Sequence, residues 1–395
     1  MRERHAPAGA PWRLAAALGP PAGSVPVPGE WLDLEVARRR LVADAPERAH
    51  NAALFRQPIR TLDDLLAAGL RIAALGEILE GFRPREADDD AVLSGADLAF
   101  GPPVLRPPSL RDFYAFEGHV GTMWARRGGE IPEAWFRLPV FYFSNVSEIR
   151  GPDEPVWAPR GSAELDFELE VCAVVDSPAR DLDAGLAEEA IGGYCILDDW
   201  SARDLQRDES TVRLGPAKGK DFATTIGPWI VTPDELADAR APGATGPSLV
   251  MTAEVIDTAG RRHPVSRGTW ADAHFGFGDM LARASADARL RPGDLIGSGT
   301  VGSGCLLEVK DTTLGRYLEP GDSVTLAIER LGELRTPIVA RASLPRMSPA
   351  CASTCRAPRQ DSTRPASSWI STSRRRTRAA CRPRWMPGAC ASARM

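Results

Sequence analysis

Lysine is nearly missing from this chain: Lys218, Lys220 and Lys310 stand against 45 arginines. No apolar run approaches the ~20 residues that a membrane helix needs. Trp12 to Leu18 is too short for the core of a signal peptide and is broken by Arg13. These absences argue against a membrane protein and for a cytoplasmic one. Cysteine is sparse, at seven. Cys172, Cys195 and Cys305 lie in or beside apolar strand-like runs and read as small core residues. Cys351, Cys355, Cys381 and Cys390 fall in the last 45 residues, and the CxxxC pair has no histidine after it, a weak zinc signal. Outside one segment acids outnumber basic residues. Residues 347–395 hold ten Arg and one acid, Asp361, so of the net −5 the rest of the chain carries about −14. An acidic body argues against nucleic acid as a partner.

What is present is a soluble composition, 43% hydrophobic and 26% charged, in 395 residues, enough for a large core and more than one domain. Residues 1–30 are rich in Ala, Pro and Gly, the composition of loosely ordered chain. From Trp31 to about Glu80 the pattern is helical, with Thr61 a cap for Leu62-Asp-Asp-Leu-Leu. Gly101-Pro-Pro and Pro107-Pro mark a boundary near residue 100. From Val104 to about Arg341 strands dominate: 139–144, 164–175, 227–232, 248–257, 294–298, 306–309 and 323–328, with 187–197 a helix end running into a strand and helical character at 279–284. After Pro345 all periodicity ends, which predicts disorder. The expected division is a small N-terminal domain (1–100), a β-rich α+β domain (101–345) and a tail (346–395). An arginine-heavy chain suggests a GC-rich gene, in which such a tail could arise from a reading-frame error; sequencing the 3′ end of the gene would settle it.

Four stretches carry chemistry. Glu164-Leu-Asp-Phe-Glu-Leu-Glu-Val171 alternates strictly, so Glu164, Asp166, Glu168 and Glu170 share one strand face at ~7 Å spacing. Such a strip is either a solvated face or a set of acids that needs cations to neutralise it, and a divalent metal does so most directly. Leu197-Asp-Asp-Trp-Ser-Ala-Arg-Asp-Leu-Gln206 ends a strand in two carboxylates and starts a polar helix, with Ser201 as cap and Arg203 and Gln206 on one face. Lys218 and Lys220 are two of the three lysines, and a chain that elsewhere uses Arg favours a site where it uses Lys. His119, one of five histidines, is by residue type more often structural than a general base. Gly297-Ser-Gly-Thr-Val-Gly302 matches GxGxxG, but a strand-like run follows where a dinucleotide fold needs a helix, so it reads as a tight turn.

In order and spacing, Asp112-Phe-Tyr…His119, Glu168-Leu-Glu170, Asp199-Trp-Ser-Ala-Arg-Asp-Leu-Gln206, Gly219-Lys-Asp-Phe-Ala-Thr-Thr-Ile-Gly-Pro-Trp229 and Gly299-Thr300 resemble the fumarylacetoacetate hydrolase family. The match runs from about Leu105 to Ala340. The resemblance implies a catalytic domain built as a mixed β-roll or barrel-like sandwich, a small N-terminal domain in some members, and a homodimer. It implies Mg²⁺, or Ca²⁺ or Mn²⁺, on Asp112, Glu168, Glu170 and Asp199. It makes His119 the base that activates water and Glu308 its orienting carboxylate. Tyr114, Tyr142, Arg203, Gln206, Lys220 and Thr300 match substrate-contacting positions, with Lys220, Arg203 and Gln206 as oxyanion donors. Glu164 and Asp166 then lie off the site.

The function implied by the resemblance is metal-dependent hydrolysis of a C–C bond in a small β-diketone or 2-oxo acid, such as fumarylacetoacetate or an acylpyruvate, in aromatic catabolism. The alternative on the same site is a hydratase, isomerase or decarboxylase of a 2-oxo acid. A binding protein without catalysis would lack a ligand or the base, and none is missing. Specificity should lie in the N-terminal domain and the 120–137 segment, where Arg126 or Arg127 could meet a substrate carboxylate.

Overall fold

The structure is a computed structural model that describes residues 1–4, 10–18, 29–83 and 89–341. The expected tail and its cysteines, and about half of the 1–30 segment expected to be loosely ordered, lie outside the described residues. Residues 1–342 form one compact unit.

The N-terminal part begins with a small sheet in which Glu30–Asp33 pairs with Ala15–Ala17 and Val92–Ser94. Trp31 and Leu32 are therefore strand residues, and the helical pattern starts later, at α1 (Leu34–Asp44), where the Asp33 side chain caps Glu35 and Val36 N–H. Helix α2 (Leu62–Ala67) begins at Thr61, whose hydroxyl accepts from Asp64 N while Asp64 accepts from Thr61 N, a reciprocal capping box.

The strands that follow are β1 (Leu110–Phe113), β2 (Phe141–Ser144), β3 (Ile149–Arg150), β4 (Leu165–Asp166), β5 (Leu169–Val175), β6 (Ile191–Asp199), β7 (Ser201–Ala202), β8 (Thr224–Val231), β9 (Val250–Ile256), β10 (Arg262–Thr269), β11 (Leu295–Gly297), β12 (Ser323–Ile328) and β13 (Gly332–Pro337). Helices α3 (Glu117–Arg126), α4 (Arg203–Val212), α5 (Phe277–Ser285) and α6 (Leu306–Val309) interrupt them. A seven-stranded mixed sheet runs β2-β1-β11-β5-β6-β8-β3, and a four-stranded antiparallel sheet runs β10-β9-β12-β13. The fold is thus β-rich α+β, a sheet packed on a sheet, as the strand density predicts.

Alternation along the central strands sorts the core into two. Leu169, Val171 and Ala173 on β5 and Ile196 on β6 face one way, into a cluster with Met251, Val255, Leu326 and Ile328 of the second sheet and with Phe277 and Leu281 of α5. Cys172 and Val174 on β5, Cys195 and Leu197 on β6, Leu295 on β11 and Leu110 on β1 face the other way. There they meet Leu32, Leu34, Leu62, Leu65 and Ile78 of the N-terminal part. Cys172, Cys195 and Cys305 are buried free thiols, as expected of core residues.

Two local expectations are corrected. The 164–175 strand is broken at Phe167 and Glu168 into β4 and β5, and β4 leaves the large sheet to pair with β7. The run after the glycine turn is helix α6, not a strand.

Candidate active site

Three carboxylates converge on the face of the large sheet that the N-terminal part covers. Asp112 comes from β1, Glu170 from β5 and Asp199 from the end of β6; all are buried, and one oxygen from each lies within 4.8 Å of the others. Strand β11 passes between β1 and β5 and presents Gly297 at this level. A Cβ there would overlap Asp112 Oδ1 and come within 3.2 Å of Glu170 Oε2, so the acids can crowd together only over a glycine. Asp112 Oδ1 and Asp199 Oδ1 are buried with no hydrogen-bond partner among the described residues. Burial, together with the Asp199 charge, pushes the Asp112 carboxyl well above its ordinary range. Burial and the neighbouring Asp112 do the same to Glu170. Burial also raises Asp199, against the pull of Lys220. Unpartnered buried oxygens in an all-carboxylate set match what a hard divalent cation takes, so Asp112, Glu170 and Asp199 fit such an ion.

Glu168 sits beside this group rather than in it. Lys220 Nζ lies 2.5 Å from both Glu168 Oε2 and Asp199 Oδ2. Arg203 Nη1 lies 2.8 Å from Glu168 Oε1. Burial opposes ionisation of Glu168, but Lys220 and Arg203 outweigh it and hold the carboxyl well below its usual range. The Tyr142 hydroxyl donates to Asp199 Oδ2 at 2.6 Å, and burial and the Asp199 charge push the phenol far up, so it stays a donor. Thr300 Oγ1 and the Gly299 N–H face Glu170 at 3.4 and 3.0 Å.

His119, on α3, places Nδ1 in a hydrogen bond with Glu308 Oε1 of α6, and both side chains are buried. A carboxylate on Nδ1 fixes the tautomer with the proton there and leaves Nε2 as the basic nitrogen. Glu308 Oε2 is held by the Ser303 N–H at 2.6 Å. Cys305 Sγ is 3.8 Å from Glu308 Oε1, and burial pushes this thiol up, so without a metal it is a neutral neighbour. His119 is near enough to the acids for its charge to help lower Glu168. The Tyr114 ring meets the imidazole edge-on with centroids 5.4 Å apart.

This site lies within the region, residues 109–339, that fits the family model of the fumarylacetoacetate (FAA) hydrolase C-terminal domain. The chain belongs to the fumarylacetoacetate hydrolase family. The fumarylacetoacetase of Arabidopsis thaliana is 33% identical over 270 residues, which cover 55% of this chain and 63% of that protein. The chain thus spans less than two thirds of that relative's length. The solved structure of a fumarylacetoacetate hydrolase from Exiguobacterium antarcticum shares the fold, with a TM-score of 0.56 at 22% identity over 83% of this chain and 95% of that one. A protein of Mycobacterium abscessus described as a probable 2-hydroxyhepta-2,4-diene-1,7-dioate isomerase matches with a TM-score of 0.52 at 25% identity, covering 69% of this chain and 88% of that one.

For this member of the fumarylacetoacetate hydrolase family, the residues expected from the sequence divide by location. Asp112, Glu170 and Asp199 form the acid group; Glu168, Lys220, Arg203 and Tyr142 surround it; His119, Glu308 and Tyr114 form a second group. Arg203 Nη1 bonds Gln206 Oε1 at 3.0 Å, which leaves the Gln206 amide as a donor. Lys218 is not with them: it is exposed and pairs with Asp221. Ser201 is no helix cap; it belongs to β7 and donates to the Asp199 carbonyl. Arg126 donates to the Glu308 carbonyl at 3.1 Å, while Arg127 lies over the Trp124 ring. Gly297 and Asp166 were not singled out from the sequence for roles at this site. The GxGxxG match drew attention to Gly297 for its backbone, whereas its missing side chain is what the site uses.

Proposed function

We propose that the chain is a divalent-cation-dependent hydrolase, Mg²⁺ being the ion expected, that cleaves a C–C bond in a β-diketone or 2-oxo acid such as fumarylacetoacetate or an acylpyruvate. The observation that supports it most is the buried His119–Glu308 pair next to the acid group, because attack by water needs a base and a decarboxylation would not. A cation on Asp112, Glu170 and Asp199 would supply Lewis-acid polarisation of a substrate carbonyl. The chain's own residues do the rest. His119 Nε2 takes a proton from water, and Glu308 stabilises the imidazolium. The hydroxide oxygen bonds to the carbonyl carbon, the C–C bond breaks, and its electron pair leaves as an enolate. His119 returns the proton to that carbon. Lys220, kept cationic by Asp199 and Glu168 against burial, and Arg203, with Nη2 buried and unpartnered among the described residues, favour the oxyanion.

Isomerisation of a dienedioate is the second reading, on the strength of the Mycobacterium abscessus likeness. A Mg²⁺-supplemented screen over fumarylpyruvate, acetylpyruvate, fumarylacetoacetate, oxaloacetate and a 2-hydroxydienedioate separates the two. Hydrolysis of a diketo acid is expected, with His119→Ala lowering kcat by ~10²–10⁴-fold and removing the acidic limb of the pH–rate profile. Isomerisation alone, or an acidic limb unchanged in His119→Ala, would overturn the assignment.

A further inference from the structure

Strict alternation would set Asp166 beside Glu168 and Glu170 in one acidic strip. The break between β4 and β5 removes it from that strip and aims it elsewhere. We propose that Asp166 is a positioning residue: it holds Glu308, and through Glu308 the His119 imidazole, in a fixed relation to Arg203. The inference rests on the hydrolase reading given above.

Asp166 is fully buried, and its two oxygens accept four hydrogen bonds. Oδ1 accepts from Phe167 N and Leu306 N, each at 2.8 Å. Oδ2 accepts from Leu307 N and from Arg203 Nε, each at 2.8 Å. Leu306 and Leu307 are the first two residues of α6, and Glu308 is the third. A helix of four residues cannot satisfy its own opening N–H groups, and the side chain of its N-cap, Cys305, accepts none of them. The carboxylate that starts this helix therefore comes from β4, 140 residues earlier in the chain. At the other end Arg126 grips the Glu308 carbonyl. Glu308 is thereby fixed at both ends of a single turn while its side chain meets His119. The same Asp166 oxygen that receives Leu307 N–H also receives Arg203, whose Nη1 touches Glu168 and Gln206. One carboxylate so ties the orienting acid of the proposed base to the proposed oxyanion donor.

The test is Asp166→Asn, which keeps the shape and one acceptor oxygen but must turn an NH₂ toward an N–H of α6 in either orientation, and toward Arg203 as well in one of them. A fall in kcat of ~10–100-fold is expected, the usual range for a residue that orients a functional group, with KM changed far less. A structural role would not change the hydrogen-bonded Nδ1 proton of His119, read as a far-downfield ¹H resonance in substrate-free protein. That resonance should shift or broaden in Asp166→Asn although the protein still melts cooperatively. In the double variant with Glu308→Gln, Asp166→Asn should add little to the loss that Glu308→Gln causes alone. An unchanged resonance, or losses that multiply in the double variant, would overturn the proposal. If Asp166→Asn does not fold, Asp166→Ser is measured in the same way, and failure of both to fold overturns it as well, since Asp166 would then serve the fold rather than the site. The resonance needs no substrate, so it decides on Asp166 even if the screen finds no hydrolysis and the functional reading fails.

Discussion

Glu168 and Glu170 are two residues apart on one short segment, yet their surroundings give them opposite electrostatics. Glu170 has two buried acids for neighbours and, among the described residues, the Gly299 N–H and a long contact from Thr300 as donors. Glu168 has Lys220 and Arg203 in direct contact. A carboxyl raised by folding stabilises the protein below its unfolded value and loses that contribution as pH rises through its folded value; a depressed one contributes above its unfolded value. Metal-free protein should therefore be more stable near about pH 5 than near about pH 8, with Asp112 and Glu170 the groups that gain from protonation. In EDTA at neutral pH, Glu170→Gln should raise the melting temperature by a few degrees and flatten that pH dependence. Glu168→Gln should lower it, since removing one partner of a buried ion pair costs about 3–5 kcal/mol. Equal shifts of the same sign in thermal melts of the two variants would contradict this division. Both variants should weaken Mg²⁺ binding in a calorimetric titration, Glu170→Gln the more, because Glu168 stands outside the group of three.

At the scale of elements, the site depends on a strand that offers no side chain. Strand β11 is central in the large sheet, and Gly297 is its last residue. Gly297→Ala should leave the strand's pairing with β5 and β1 intact, because alanine is acceptable in a strand, but it must move Asp112. We expect Mg²⁺ affinity to fall at least tenfold, the order of effect of disturbing ligand orientation, with a much smaller change in melting temperature. Unaltered affinity by calorimetry would show that the acids do not need this space. Elements also mark where the sequence was readable. The Thr61 cap is legible because its signal is local, while the reciprocal bond from Asp64 that makes it a capping box shows only in the structure. Strands β5, β6, β8, β9 and β12 were legible because each is a run of β-formers bounded by turn residues. Helix α6 was not: four apolar and acidic residues fit either a strand or one helical turn, and the choice is made by Asp166, a distant side chain that satisfies its first N–H groups. The alternation of 164–171 was read correctly as a pattern, but the break at Phe167 and Glu168 follows from pairing with β7, which no local signal announces. The partner of each acid was hidden for the same reason, since Arg203, Arg207 and Lys220 reach Asp166, Glu164 and Glu168 only through the fold.

For the whole molecule, the face that carries the acid group is the one that the N-terminal part covers. On β5 Glu170 is followed on its own side by Cys172 and Val174; on β6 Asp199 is preceded there by Leu197; on β1 Asp112 follows Leu110. The apolar members of these rows, with Ile226 and Leu295, pack on Leu32, Leu34, Leu62, Leu65 and Ile78. Covering Leu110, Val174, Leu197, Ile226 and Leu295 is worth on the order of 10 kcal/mol in all, at ~1.5–3 kcal/mol for each fully buried side chain. That is comparable to the entire net stability of a typical domain, about 5–15 kcal/mol. A fragment that starts at Val104 retains every residue assigned to the site, so a purely local view of the chemistry would have it bind Mg²⁺ and turn over substrate. The packing argues otherwise. The fragment should be recovered in aggregates, or as a species that binds a hydrophobic dye and lacks cooperative melting, and replacing Leu197 and Leu295 by Thr should improve its solubility without restoring activity. A soluble, cooperatively melting and active fragment would show that the sheet can dispense with its N-terminal cover.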